Sequence, residues 1–354
     1  MNSRERVLMA LNHQEPDRIP INFRATDVIT QAMCKHYQTD YYGLLELLKC
    51  DFREVVPEYV GPELKKYDDG TQFDYWGVGR KELVTERSRD VYINYSPLSE
   101  ANTVEEVKKY NWPRVDWFDF SKMEAMCDKF TGYAISSPGI HVEGYHGVFH
   151  QLTYMFGMEK AMLYMAMNEE MIEEAIKHIN KFLVDFYEKM LQAANGKIDF
   201  IFYKDDYGSQ NSLLISRNMF LKYFAPTLKE LIDLADSYGA TLILHSCGSV
   251  IDLIPDFIEM GLKVLDPIQT SAKNMDIRVL KERFGDKLTF HGAIDTQVTL
   301  PRSSAAEIKE IVKETINVLG KGGGYFFSSS HRIQPDTPLE NIIAMYETAI
   351  NFRY

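Results

Sequence analysis

Short runs of consecutive apolar residues recur along the chain. Between most of them lie longer stretches in which apolar positions repeat every three or four residues. Eight of the short runs read as buried β-strands: RIPINF (18–23), FREVVP (52–57), GYAISSPG (132–139), DFIFYKDD (199–206), TLILHSC (241–247), VLDPIQT (264–270), LTFHGAID (288–295) and GYFFSSSH (324–331). The helical period is clearest over 171–194, 216–239 and 304–320. Pro226 predicts a kink in the second of these, and Gly239 a stop. Ser304 and Gly320 bracket the third as N-cap and terminator. Eight strand–helix alternations predict a (β/α)8 TIM barrel as one domain over 1–354. An open doubly wound sheet is the competing α/β reading. It usually carries a glycine fingerprint after its first strand, and here that strand runs into RATDV. Residues 58–115 break the rhythm with alternating aromatics and charges, and predict a hairpin excursion that acts as a lid at the barrel mouth.

Five consecutive runs, the fourth to the eighth, share a second property: they turn polar at their C-terminal ends, where a barrel of this kind carries its chemistry. The third is followed by Glu143 and the fourth ends in Asp205, Asp206, Tyr207 and Gln210. His245 and Cys247 close the fifth, Asp266 and Gln269 the sixth, His291 and Asp295 the seventh, and His331 the eighth. His-x-Cys on a strand presents both side chains to one face, because the period is two. Imidazole nitrogen and thiolate sulfur are ligands that zinc prefers. Two ligands do not hold a catalytic zinc. His331 is taken as the third, with Glu143, Asp205, Asp206 and His291 as its rivals. Asp205 and Asp206 also read as an acid/base pair or as partners of a metal ligand, against the plainer role of capping a helix. Glu143 and His291 are further catalytic candidates, and Tyr207, Gln210, Gln269 and Asp295 are candidates for substrate contacts.

Composition narrows the partners. A net charge of −12 over 354 residues, with no long basic run, argues against nucleic acid. No window reaches about 18 uninterrupted apolar residues, so no membrane span is expected. The charged N-terminus lacks a signal-peptide core, which predicts a cytoplasmic protein. The four cysteines form no CxxC pair. Cys34, Cys50 and Cys127 read as plain buried thiols, leaving Cys247 as the chemically interesting one. The glycines of GKGGGY (320–325) lack the Lys-Ser/Thr that completes a phosphate loop and read as a helix stop before a strand. YMFGMEKAMLYMAM (154–167) reads as helical core. His141, His146 and His150 fit a pocket wall, and equally a solvated or a core position.

SRERVLMALNHQEPDRIPI, TLILHSCGSV, FHGAIDTQ and GGGYFFSSSHRIQPDTPLENIIAMYETA together resemble the uroporphyrinogen decarboxylase superfamily, over nearly the whole chain. The resemblance implies a (β/α)8 barrel with its site at the C-terminal mouth, and two chemistries. Uroporphyrinogen decarboxylases hold an octacarboxylate tetrapyrrole with arginines of an RQAGRY-type motif. Here the matching segment is INFRATD, with Arg24 alone. Glu143, Asp205, Asp206, Asp266 and Asp295 at the mouth are expected to repel such an anion. Cobalamin-dependent methyltransferases of the superfamily bind zinc through His-x-Cys and a later Cys in a segment like SPGCGIPPDTP. This chain keeps His245 and Cys247 and reads SSSHRIQPDTP, so His331 stands where that Cys would be. Fewer thiolates make a more electrophilic zinc, which suits activation of an ether oxygen. The resemblance therefore implies a zinc enzyme moving a methyl group between a small donor, of the methoxyarene O-demethylase type, and cobalamin. No DxHxxG signature occurs, so the cobalamin is expected on a separate corrinoid protein, with Tyr75 and Trp76 of the lid shielding the pocket. The alternatives are a decarboxylase of the heme pathway and a non-enzymatic scaffold. A homodimer is compatible with the resemblance.

Overall fold

A computed structural model describes residues 1–85, 89–137 and 146–353. Seven of the eight apolar runs form one parallel sheet: β1 (Phe52–Glu54), β2 (Ala134–Ser137), β3 (Phe200–Lys204), β4 (Thr241–His245), β5 (Val264–Ile268), β6 (Thr289–Ile294) and β7 (Tyr325–Ser329), in that spatial order. Alternate side chains feed two different cores, as a period of two requires. Phe52, Phe200, Phe202, Ile243, Val264 and Phe326 pack with one another inside the curl of the sheet. Ile201, Tyr203, Leu242, Leu244, Leu265 and Phe327 point outward against the helices. Val7 and Ala10 of the N-terminal helix Ser3–Leu11 join the inner cluster. This helix is tied to chain entering the strands, with Arg4 N–H donating to Gly132 O and Gly324 N–H to Ala10 O. It lies across the end of the sheet away from the polar strand termini.

The first run does not become a regular strand. Ile21 makes a single parallel bridge to Phe327. On that side Phe327 N–H donates to Pro20 O and Asn22 N–H to Phe327 O; on the other, Asp51 N–H donates to Ile21 O. Pro20 has no N–H to extend the ladder. Ile21 N–H turns to the Asp51 side chain, whose buried carboxylate also holds Arg6 and Arg18. The chain thus has the α/β character expected, as a curled seven-stranded sheet in which β7 and Asp51, just before β1, both bond to this short segment.

The helices follow their sequence signals. Glu169–Ala193 buries one face, including Phe182 and Phe186. Ala305–Leu319 starts at Ser304, whose side chain forms a capping box with Glu307. Before Pro226 the helix widens into a π-turn over Phe220–Phe224, which accommodates a ring that would otherwise meet the carbonyl of residue 222. Gly239 follows that helix at φ +72. GKGGGY is a helix stop before β7. The methionine helix Met158–Met167 buries Met165 but exposes Met158 and Met167. All four cysteines are free, with Cys50 and Cys127 buried and Cys34 half-buried. No helix of the described residues is long and apolar enough to cross a membrane.

The 58–115 excursion contains a three-stranded antiparallel sheet, Gln72–Phe73, Gly79–Val84 and Arg89–Tyr95. Tyr75 and Trp76 do not shield a pocket from above. They are buried against Phe118 and Phe182, as core aromatics between the excursion and the long helix.

Candidate metal centre

β4 ends at His245, whose odd-numbered position aims it into the curl of the sheet above Ile243. Its neighbours in register are Lys204 of β3 and Asp266 of β5. Asp266 lies 2.5 Å from His245 Nδ1. That bond places the ring proton on Nδ1 and leaves the Nε2 lone pair facing away from the carboxylate. Nε2 is 3.3 Å from Cys247 Sγ. His331, just beyond β7, completes a cluster in which one ligand atom from each of His245, Cys247 and His331 lies within 4.8 Å of the others. Tetrahedral zinc with these ligand types holds their atoms roughly 3.3–3.6 Å apart, so closing by about 1 Å suffices. The set fits zinc, with a position left over for a ligand.

The loop carrying Cys247 is fixed from several sides. Cys247 N–H donates to Asp206 Oδ1 at 2.7 Å and Gly248 N–H to Gln269 Oε1 at 2.8 Å. Gly248 has φ +88, and a Cβ there would come within 2.5 Å of Gly208 C. Gly248→Ala is therefore expected to lower stability by about 1–2 kcal/mol from the left-handed backbone alone and to displace Cys247. Thermal melting and zinc content check this; a variant with wild-type values of both would show that the loop yields.

Charge organises the cluster. Asp266, Arg24 and His291 are fully buried, and Arg24 Nη1 lies 2.7 Å from Asp266 Oδ1. Burial would raise the Asp266 carboxyl, but Arg24, then His291 and His245, hold it well below the carboxylate range. His291 Nδ1 is 2.9 Å from Asp266 Oδ1, at an angle that makes no hydrogen bond. Burial pushes His331 down to about 3, helped by nearby Arg24. His331 is thus neutral at pH 7, with a lone pair free for a metal. Burial, then Asp206 and Asp266, push the Cys247 thiol well up; metal binding reverses that by displacing the proton.

The remaining candidates divide. Asp206 faces the cluster: its Oδ1 is 3.8 Å from His245 Nε2 and its Oδ2 is 3.4 Å from His150 Nε2. Burial works against its charge, but His150 and His245 outweigh it and hold it below the usual range. Burial alone would lower His150, whose imidazole is instead held above its ordinary 6.5 by Asp206 and Asp205. Asp205 points elsewhere. Helix Val148–Phe156 has four amide groups at its start that no turn of its own can satisfy, and the end of β3 together with Asp205 just beyond it supplies every acceptor. Gly147 N–H donates to Lys204 O, Val148 N–H to Tyr203 Oη, Phe149 N–H to Asp205 Oδ2 and His150 N–H to Asp205 Oδ1. Tyr207 is likewise internal, donating to Asp205 and packing on Phe149 and Phe220. Asp205 thus takes the capping role, on a helix more than fifty residues away, and Tyr207 supports it rather than touching the cavity. A Cβ at Gly147 would lie 2.5 Å from Asp205 Cβ.

Asp295 accepts from the amides of Val298 and Thr299 at the start of Thr299–Arg302. Gln269 and Gln210 hydrogen-bond to each other and tie neighbouring loops together. His291 lies beneath the cluster, stacked on Phe52. Glu143 and His141 lie outside the described residues.

Beside the cluster is a cavity of about 270 Å³. Its wall contains Arg24, Arg80, Lys204 and Arg332, with Asp90 and Asp206 as the carboxylates, and His146 and His150. Of the carboxylates expected to repel an anion, Asp205, Asp266 and Asp295 are spent on helix ends, Arg24 and histidine, and among the described residues Arg24, Arg80, Lys204 and Arg332 line the space beside Asp90 and Asp206. Arg80, Lys204 and Arg332 escaped sequence reasoning, whereas His146 and His150 take the pocket-wall place that was one of their readings. Lys204 carried a signal, because it shares the register level of His245; Arg80 carried none, because it reaches the site from the antiparallel excursion.

Residues 144–352 match the family described as uroporphyrinogen decarboxylase (URO-D). The chain belongs to this family. A uroporphyrinogen decarboxylase from Coxiella burnetii is 28% identical over 128 residues, which span 34% of this chain and 35% of that enzyme. The chain thus matches about a third of the length of this curated URO-D relative. Among solved structures, a methyltransferase from Methanosarcina mazei superposes with a TM-score of 0.66 at 18% identity, covering 99% of both chains. That likeness is one of fold. The URO-D superfamily is one of enzymes, and its barrel-like α/β fold accounts for the polar strand ends meeting here.

Proposed function

We propose that this chain is a zinc-dependent methyltransferase that moves a methyl group between a small donor, of methoxyarene type, and the cobalamin of a separate corrinoid protein. The observation that carries the reading is the meeting of His245, Cys247 and His331 at one side of a cavity. Zinc held there would supply a Lewis acid to the donor heteroatom. The chain's own residues do the rest. Asp266 sets the tautomer of His245, and Asp206 holds the Cys247 backbone. Arg80, Asp90 and Val91 of the excursion wall the cavity, as a lid would. The mouth is left to the corrinoid partner.

Metal analysis tests the centre. Full-length protein purified with zinc present should carry about one zinc per chain, and Cys247→Ala substantially less; no zinc in either removes the reading. Methyl transfer from methoxyphenols to cob(I)alamin tests the reaction. A second reading, decarboxylation of a porphyrinogen or smaller acid, is favoured by the basic side chains around the cavity and by the decarboxylase relative. It predicts turnover of the acid by metal-free protein.

A further inference from the structure

Arg80 lines the cavity that contains His245 and His331. Its Nε donates to Asp74 Oδ2 at 3.0 Å, and both side chains are only 10% exposed. Asp74 Oδ1 is already taken by the amides of Trp76 and Val78. The guanidinium lies 5.0 Å from the centre of the Tyr154 ring, which attracts the cation but offers no lone pair. Arg80 Nη2 is buried and has no hydrogen-bond partner. A guanidinium fork with a buried, unanswered N–H is a poor arrangement unless an acceptor arrives. Its planar donors match a carboxylate. Lys204 and Arg332 line the same space.

We infer that Arg80 is a specificity residue that binds an acidic group on the substrate, so that the donor is a small arene bearing a carboxylate as well as its methyl ether. The inference rests on the proposed function for the ether and on Arg80 for the acid. The cavity then holds a two-ended ligand, with its oxygen toward His245, Cys247 and His331 and its carboxylate on the excursion side. Neutral methoxyarenes of equal size offer Arg80 Nη2 no charged acceptor and bind more weakly.

Calorimetric titration of zinc-loaded full-length protein with 4-methoxybenzoate and with 4-methoxybenzamide tests this. The acid should bind about tenfold to a hundredfold more tightly than the amide, the range of one charge-assisted hydrogen bond. Arg80→Gln should abolish the difference between acid and amide. Because Arg80→Gln strands Asp74 in the interior, the double variant Asp74→Asn/Arg80→Gln serves as the folded control and should behave the same. Equal binding of acid and amide by the wild type overturns the assignment, as does binding of neither. Loss of both ligands in both variants overturns it too, by making Arg80 structural. Methyl transfer is read separately. Discrimination without transfer from any donor removes the methyltransferase reading and leaves Arg80 in place; transfer from neutral and acidic donors alike does the reverse.

Discussion

Asp266→Ala should be the most damaging substitution at the metal centre, in stability and in metal affinity together. The carboxylate touches Arg24, His245 and His291, and all but His245 are fully buried. Removing it leaves the Arg24 guanidinium in the interior without its counter-charge, a loss of roughly 3–5 kcal/mol for a broken buried pair. At about 2.1 cal/mol/K per residue this lowers Tm by roughly 5 °C. The same change frees His245 to rotate or change tautomer, and loss of such a supporting carboxylate costs about 10- to 100-fold in metal affinity. The pH dependence has a definite sign. The Asp266 carboxyl is held below its ordinary 3.8 in the folded protein, so its stabilisation is complete above about pH 4 and disappears as pH falls further. Wild type and Asp266→Ala should differ most near neutrality and converge in acid. Denaturant titrations at pH 7 and about pH 2.5 check this, and a constant gap between them would show that Asp266 stabilises by shape rather than charge. Asp266→Asn, which keeps the shape, should fall between the two.

Much of this centre was legible before any coordinates because parallel strands impose a common level. Strand positions follow from runs buried on both faces, and seven of the eight formed. The eighth, around Ile21, failed for a reason visible in RIPINF: a proline cannot donate to a ladder. His245 and Cys247 share a face by period, and His331 joins them because the sheet curls far enough to bring the end of β7 near that of β4. Legibility stopped where a side chain serves an element distant in sequence. Their spacing reads the carboxylates as one acidic mouth, whereas Asp205 and Asp295 face helix ends and Asp266 faces Arg24. Nothing in the spacing of residues 205 and 206 says which one turns toward His150. Tyr75 and Trp76 look like lid aromatics in an irregular segment. Only the long helix Glu169–Ala193, whose Phe182 receives them, makes them core.

The adjacent pair Asp205 and Asp206 should separate cleanly on mutation. Asp205→Ala removes the acceptor of two amides at the start of Val148–Phe156 and of the Tyr207 hydroxyl. A lost cap costs about 0.5–2 kcal/mol, and each buried donor left unsatisfied costs about 1–3 kcal/mol. Because such terms overlap, the expected loss is on the order of 2–4 kcal/mol. Asp205→Asn should recover part of it, since one oxygen still accepts while its amide group meets another donor. Zinc content and ligand binding of the folded fraction should stay near wild type in both. Asp206→Ala has the opposite profile. Asp206 accepts from Cys247 N–H and faces His150 and His245, and none of the helix-end amides depends on it. Its loss should leave Tm little changed while weakening zinc binding by about tenfold or more, as removal of a group orienting a ligand does. Melting curves and zinc titrations on the three variants decide the matter. If Asp205→Ala melts like wild type but loses activity, the cap is incidental and Asp205 returns to the chemistry. If Asp206→Ala keeps full zinc affinity and rate, the cluster is held by Asp266 alone.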